Sequence, residues 1–163
     1  MITIDDVRTL RDRIGDEIAV SDWFEITQER INQFADATGD HQWIHVDPAR
    51  AALESPFKAT IAHGFLTLSL ISTLVRGAMQ FNNLRMAINY GANRVRFIAP
   101  VPSGSRIRGR FSPAAIEEAG GGVQVTWQAT IERDGGDKPC CVAEWIVRYY
   151  PRELPYARQP PLR

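Results

Sequence analysis

Residues 64–75 read Gly-Phe-Leu-Thr-Leu-Ser-Leu-Ile-Ser-Thr-Leu-Val, and this stretch indicates a buried central helix. Drawn as a helix, it carries apolar side chains on nearly every side, with small hydroxyl residues between them. A helix that is hydrophobic all round must be covered by its neighbours on all sides. The rest of the chain is therefore expected to supply a layer that surrounds this helix.

Strands that could form this layer follow the helix. Polar and apolar residues alternate in four runs: Arg94–Phe97, Arg106–Phe111, Gln124–Ile131 and Cys141–Tyr150. Turn residues separate these runs at 102–104, 120–122 and 134–137. Alternation with a period of two is typical of antiparallel strands that have one buried face and one wet face. The sequence thus predicts an α+β fold in which an antiparallel β-sheet wraps around a long central helix.

The first half of the chain is predicted to hold shorter elements. A leading helix is indicated over residues 4–14, and a brief strand over residues 21–26. A second helix begins after Thr27, a good N-cap residue, and ends at the glycine in position 39. A third helix covers residues 47–53, where an aspartate cap is followed by proline at the first helical position.

Length and charge fit one small domain. The chain of 163 residues is long enough to bury a core, and its 19 basic and 19 acidic side chains cancel. No whole-molecule field therefore attracts nucleic acid or an anionic membrane. We expect a single domain over residues 1–163, with its core at about 21–150, a leading helix within 1–20, and a proline-rich tail over 151–163 that packs against the body or a partner subunit.

The termini and the cysteines carry further expectations. The N-terminus lacks the basic start and apolar run of a signal peptide, and the apolar stretch near residues 61–75 is too short and too interrupted to span a bilayer. A cytoplasmic protein is therefore predicted. Cys140 and Cys141 are adjacent, so they are poorly placed to bridge each other or to bind a metal together.

A candidate catalytic pair lies where a helical pattern stops, in residues 34–45, which read Phe-Ala-Asp-Ala-Thr-Gly-Asp-His-Gln-Trp-Ile-His. Asp40 and His45 share one loop and could hold a water molecule between a carboxylate and an imidazole, two groups suited to proton transfer. The residues alone leave a second interpretation open, a turn aspartate that follows a helix end. His41 and His63 could join His45 at a metal, but no cysteine supports them, so no metal is expected.

Two segments that follow this pair share a known pattern with it. The motif Phe34-x3-Thr38-Gly39-Asp40-x4-His45-x5-Ala51 is followed by Ile-Ala-His-Gly-Phe-Leu-Thr at 61–67 and by Asn-Tyr-Gly-x2-Arg-Val-Arg-Phe-x2-Pro-Val-x2-Gly at 89–104. Together these segments resemble the MaoC-like hydratases, also called (R)-specific enoyl-CoA hydratases or hydratase 2, and the resemblance covers roughly residues 21–150. One departure is Gln42-Trp43, where the family commonly has Asn-Pro.

The resemblance implies a hot-dog fold, a homodimer, and reversible hydration of a trans-2-enoyl-CoA to an (R)-3-hydroxyacyl-CoA in fatty-acyl thioester metabolism. It assigns the acid–base chemistry on a water to Asp40 and His45, stabilisation of the thioester oxyanion to the backbone N–H of Gly64, and a supporting role to Ser72. Coenzyme A belongs to the substrate, so no cofactor is expected. The alternatives are a 3-hydroxyacyl-carrier-protein dehydratase of fatty-acid synthesis and a catalytically silent acyl-thioester-binding module.

Other residues of the matched segments are candidates for substrate binding or support: Trp43, His63, Tyr90, Arg94 and Arg96. The two arginines follow the matched tyrosine and could bind the phosphates of coenzyme A, although alternating arginines are also typical of the wet face of a sheet. The indole of Trp43 could form a wall of the acyl channel or pack in the core.

Overall fold

The computed structural model describes residues 1–152. The elements are, in chain order, β1 (Ile2–Ile4), a 3-10 helix (Val7–Arg13), β2 (Ala19–Val20), β3 (Phe24–Glu25), α1 (Gln28–Thr38), α2 (Trp43–Val46), α3 (Pro48–Glu54), α4 (Gly64–Ser69), α5 (Ile71–Ala78), β4 (Met79–Phe81), β5 (Leu84–Phe97), β6 (Arg106–Ala119), β7 (Gly122–Arg133) and β8 (Cys141–Pro151). The packing predicted for the tail concerns residues 153–163, which lie outside the described residues.

Six of the strands form one antiparallel sheet. Its order is β2-β6-β7-β8-β5, and β3 also pairs with β6. Gly120 and Gly121 make the turn between β6 and β7 with φ of 61° and 77°, the left-handed region that tight hairpin turns use. A separate parallel pair, β1 with β4, was not predicted. The antiparallel sheet expected from the alternating pattern is confirmed.

The buried face of the sheet is clearest in β7, the central strand. Every second side chain there is removed from solvent: Val123, Val125, Trp127, Ala129 and Ile131. These side chains belong to one hydrophobic cluster with residues of α4 and α5, and the two helices contact β8 and β6 respectively. One face of the central helical segment is therefore buried against the sheet. The prediction that neighbours cover this segment all round is wrong, because its other face is exposed at Phe65, Ser69 and Thr73.

The central helix is not continuous, which differs from the prediction. It consists of α4 and α5, joined at Leu70, and it runs on to Ala78 rather than ending at residue 75. The hydroxyl of Ser69 donates to the carbonyl of Phe65 at 2.7 Å, and bonding of this kind bends helices. Within residues 1–152 no helix is long and apolar enough to span a membrane, and the cytoplasmic location stays a prediction.

The predicted leading helix is wrong in type. Residues 2–4 form β1 beside β4, and residues 7–13 form a 3-10 helix. Val7 and Leu10 are the buried residues of that helix, and their spacing of three matches its period of three residues per turn. The strand predicted over residues 21–26 is shorter in the structure, where β3 covers only Phe24–Glu25. A separate short strand, β2, precedes it at Ala19–Val20.

β5 is an edge strand with little cover on either face. It pairs with β8 along one side, and almost all of its residues are exposed. Met86, Ile88 and Tyr90 are among the large apolar side chains that face solvent. The sequence predicts a buried face for the run 94–97, yet Phe97 is 44% exposed, because the helices contact β6 and β8 more closely than β5.

A buried hydrogen bond between two aromatic side chains allows a test of the core. The Trp127 Nε1–H donates to the Tyr149 hydroxyl at 3.0 Å, and burial raises the pKa of Tyr149. Tyr149→Phe should lower the free energy of unfolding by about 1–3 kcal/mol, because the indole N–H is then buried without an acceptor. Tyr150→Phe, at a half-buried neighbour, is the matched control and should change it by less than about 0.5 kcal/mol in urea titrations. Equal effects would contradict this assignment.

Candidate active site

The candidate catalytic pair lies on the chain that leaves α1. This helix begins at its predicted N-cap, Thr27, and ends at Gly39, whose φ of 78° is in the left-handed region. Glycine adopts this conformation without steric cost and so turns the chain out of the helix. Asp40 follows with an exposed side chain, whereas His45 is buried within the single turn of α2. The turn at Gly39 therefore brings a solvent-facing carboxylate next to a buried imidazole.

The main chain holds the imidazole of His45, and a half-buried glutamine holds its backbone carbonyl. Its Nδ1 lies 2.7 Å from the carbonyl oxygen of Ile61, so Nδ1 carries the proton and Nε2 is left as an acceptor. The backbone carbonyl of His45 accepts from Gln28 Nε2 at 2.8 Å, and Gln28 Oε1 accepts from the Thr60 hydroxyl. The sequence does not single out Gln28 or Thr60, because their contacts join residues far apart in the chain.

His63 joins this pair directly. Its ring stacks on the ring of His45 with centroids 3.8 Å apart, and its Nε2 lies 2.9 Å from the backbone carbonyl oxygen of Asp40. One carboxylate oxygen of Asp40 and one ring nitrogen of each histidine lie within 4.8 Å of one another. That spacing could hold one water or one cation.

Two residues next to the pair make contacts elsewhere. The Nε2 of His41 lies 2.8 Å from Asp36 Oδ1, and this hydrogen bond raises the pKa of His41. The ring of Trp43 is half-buried beneath the guanidinium of Arg50, at 4.4 Å from its centroid. Trp43 does not line the cavity described next, and its predicted role as a wall of the acyl channel stays a prediction.

A cavity of about 290 Å³ opens beside His45. Apolar side chains make most of its lining, together with the first residue of α4, Gly64. A Cβ atom at Gly64 would lie 2.6 Å from the ring of Phe97, so only glycine lets that ring pack against the start of the helix. Cys140 also lines the cavity, but burial raises the pKa of its thiol, which keeps it protonated and a poor nucleophile.

Ser72 lines a second cavity, of about 320 Å³, between α5 and strands β5 and β8. Its hydroxyl accepts from Asn89 Nδ2 at 3.2 Å, and Asn89 Oδ1 accepts from the indole N–H of Trp145 at 3.1 Å. These hydrogen bonds tie the helix to the edge strand. Ser72 does not line the cavity beside His45, and its predicted supporting role in the site stays a prediction. The sequence does not single out the contacts of Asn89 and Trp145. In the alternating pattern of a strand, Asn89 looks like an ordinary polar position and Trp145 like an ordinary core position.

Tyr90, Arg94 and Arg96, predicted to bind the substrate, lie on β5 and line neither cavity. The guanidinium of Arg148 sits 3.6 Å over the ring of Tyr90, and Arg94 forms an ion pair of 3.1 Å with Glu144. Arg96 donates to the carbonyl of its own neighbour in the strand. These side chains are exposed, so they remain accessible to a phosphate, and the binding role stays a prediction.

Sequence comparisons show which proteins this chain resembles. The family model described as "MaoC like domain" matches residues 9–132. A protein of Mycobacterium tuberculosis named 3-hydroxyacyl-thioester dehydratase Z is 53% identical over 150 residues, which cover 91% of this chain and 99% of that protein. Nodulation protein N of Rhizobium meliloti is 46% identical over 160 residues, with 96% and 98% covered.

Solved structures share the fold. The R-hydratase PhaJ1 from Pseudomonas aeruginosa superposes with a TM-score of 0.67 at 25% identity, over 92% of this chain and 91% of that one. A MaoC-like dehydratase from Rhodospirillum rubrum gives a TM-score of 0.68 at 23% identity, over 86% and 94%. Together with the antiparallel sheet and the helix it buries, these matches establish the predicted hot-dog fold.

Proposed function

The chain belongs to the MaoC-like dehydratase family, and we propose that it catalyses the reversible hydration of a trans-2-enoyl-CoA to an (R)-3-hydroxyacyl-CoA. The observation that carries the proposal is the Asp40 carboxylate within 4.8 Å of a ring nitrogen of His45, beside a largely apolar cavity. The mycobacterial relative is named a thioester dehydratase and the Pseudomonas protein an R-hydratase, and both names support this class of reaction.

The pair can supply both proton transfers. With its Nδ1–H bonded to the Ile61 carbonyl, His45 presents Nε2 as an acceptor for a proton of water. The water oxygen bonds to the β-carbon, one water proton passes to the pair, and the pair returns a proton to the α-carbon. Asp40 and His45 thus end the cycle with the number of protons they began with. General acid–base catalysis of this kind contributes roughly 10²–10⁴-fold.

Negative charge develops on the thioester oxygen during this reaction and needs a donor. The first amides of a helix have no acceptor within the helix, so the backbone N–H of Gly64 at the start of α4 is available. Gly64 lines the same cavity as His45 and has no side chain to block the approach of a carbonyl. We assign the oxyanion contact to this amide.

The reaction as proposed uses only proton transfers and the addition of water. It needs no electron acceptor, and we propose that no cofactor takes part beyond the coenzyme A that enters with the substrate. A phosphopantetheine arm carries the acyl thioester in acyl carrier proteins as well, so the choice between the two carriers is a question for experiment.

The central test replaces the pair and follows the enoyl absorbance of crotonyl-, octenoyl- and longer trans-2-enoyl-CoA. Asp40→Asn keeps the shape of the side chain but removes the base, and His45→Gln removes the ring acceptor. Each should lower kcat by ~10²-fold or more. His41→Gln is the matched control, because His41 lies in the same loop but bonds to Asp36, and its kcat should stay within about twofold of wild type.

The same assay with the wild-type protein distinguishes coenzyme A from acyl carrier protein as the carrier of the acyl group. Faster turnover of enoyl-carrier protein than of every enoyl-CoA would assign the carrier-protein dehydratase instead. Near-wild-type turnover by folded Asp40→Asn or His45→Gln would refute the mechanism. Binding of acyl thioesters without any turnover by the wild type would make the chain a silent binding module.

A second test uses two glycines of the central helical segment. A methyl group at Gly64 meets the Phe97 ring at 2.6 Å, whereas one at Gly77 meets nothing within 4 Å. Gly64→Ala should therefore displace Phe97 and lower kcat/KM by ~10-fold or more. Gly77→Ala should leave kcat/KM unchanged and raise the free energy of unfolding by about 0.5–1 kcal/mol, since alanine favours a helix. Equal kinetics for both variants would remove Gly64 from the site.

We also propose that the protein is a homodimer joined through β5. The free side of this strand presents unpaired backbone groups and exposed apolar side chains, which a second copy can cover by continuing the sheet. Light scattering at micromolar concentration should give twice the mass of one chain. Backbone amides of β5 should exchange with deuterium as slowly as those of β8. A monomer mass, or fast exchange along β5 alone, would contradict the dimer.

A further inference from the structure

We infer that His63 is a positioning residue that holds both members of the catalytic pair, an inference that rests on the proposed function. His63 is almost completely buried, with 3% of its surface exposed, so it has little access to substrate or bulk water. It reaches the pair through two contacts. Its ring lies against the ring of His45, and its Nε2 bonds to the main chain of Asp40.

The hydrogen bond to the Asp40 carbonyl determines which ring nitrogen of His63 carries the proton. The Asp40 carbonyl oxygen can only accept, so the proton of a neutral His63 sits on Nε2, 2.9 Å from that oxygen. Nδ1 is then a bare acceptor, and within residues 1–152 it is buried with no hydrogen-bond partner. A ring in this state is a fixed donor to Asp40, since a second proton on Nδ1 would be a buried donor without an acceptor.

Local folding does not account for a histidine here. His63 is the N-cap residue of α4 and makes no side-chain cap hydrogen bond. Serine, threonine, aspartate and asparagine are the residues that satisfy the free amides of a helix start. A histidine with one unpartnered nitrogen is thus a poor choice for the stability of α4. We attribute the presence of a histidine to the contacts that its ring makes with His45 and Asp40.

Asp40 has few other restraints. Its side chain is exposed, and its only other hydrogen bond within the described residues is a long one, 3.4 Å, from the Gln42 amide to Oδ1. His63 therefore links the Asp40 main chain to the start of the central helical segment. On its other side the His63 ring packs against Phe34, with centroids 5.0 Å apart. The His63 ring thus packs at a tilt of 51° against Phe34 and lies stacked on the catalytic imidazole of His45.

Positioning predicts a specific kinetic signature. A misplacement of about 1 Å can cost ~10²-fold in rate without any loss of substrate contacts. Replacement of His63 should therefore reduce kcat and leave KM nearly unchanged. Because the Nε2–H of His63 holds Asp40, loss of this donor should have little further effect once the carboxylate is gone.

Two variants separate the two contacts. His63→Gln places an amide donor near the position of Nε2 and loses the stacked ring, whereas His63→Phe keeps an aromatic plane and loses the donor. With crotonyl-CoA, His63→Phe should lower kcat by ~10–100-fold with KM within about threefold of wild type. His63→Gln should recover about tenfold of that loss. His41→Phe, an exposed histidine of the same loop, is the matched control and should keep wild-type kcat.

The same substitution is then made in the Asp40→Asn background. Adding His63→Phe there should change the residual kcat by less than about twofold, whereas a purely structural role would multiply the two losses. Amide hydrogen exchange reports on the loop without turnover. His63→Phe should speed exchange at residues 42–46 and leave β7 unchanged, and His63→Gln should restore slow exchange.

Each arm can overturn the inference. Folded His63→Phe with wild-type kcat, multiplicative losses with Asp40→Asn, or unchanged exchange at residues 42–46 would each do so. One equivalent of zinc bound by wild type and lost in His63→Phe would also do so, by making the histidine a metal ligand. A wild-type chain inactive on every enoyl thioester refutes the proposed function alone, because the exchange experiment still tests whether His63 holds the loop.

Discussion

The structure depends on the burial of one face of the central helical segment, formed by α4 and α5, against the sheet. The opposite face of this segment, with Phe65 and Thr73, is exposed. The inward side chains of β7, led by Trp127, cover one side, with β6 and β8 flanking them. Val7, Leu10 and Ile31, from elements that precede the segment in the chain, belong to the same hydrophobic cluster. The fold is thus a sheet packed on one face of α4 and α5.

The candidate site lies where this segment begins. The loop before α4 supplies the backbone carbonyl of Ile61, and the loop after α1 supplies that of Asp40. Each of these carbonyls accepts a hydrogen bond from one imidazole. Main-chain acceptors attached to a packed helix are well suited to orient catalytic rings, because they cannot rotate away as side chains do. Gln28 of α1 donates a hydrogen bond to the backbone carbonyl of His45, so that three parts of the chain meet at this residue.

The two cavities and the exposure of β5 both reflect how the helices pack on the sheet. The helices pack closely on β6 and β8 but leave space beneath β5, and both cavities have walls on that strand or at its end. The same gap that can receive a ligand leaves an unpaired sheet edge with apolar side chains in solvent. Edges of this kind are an aggregation hazard unless they are covered, which links the shape of the pocket to assembly of the chain.

The sequence by itself determined the features that repeat or that belong to neighbours in the chain. The alternation in β7, the caps of α1 at Thr27 and Gly39, and the short distance from Asp40 to His45 all follow from local spacing. Only the tertiary structure decided the bare faces of β5, the ion pair of Arg94 with Glu144, and the contacts of Gln28 and His63. Periodicity shows which side of an element is apolar, but it cannot show which distant residue will pack there, because that choice depends on how the sheet and the helices pack together.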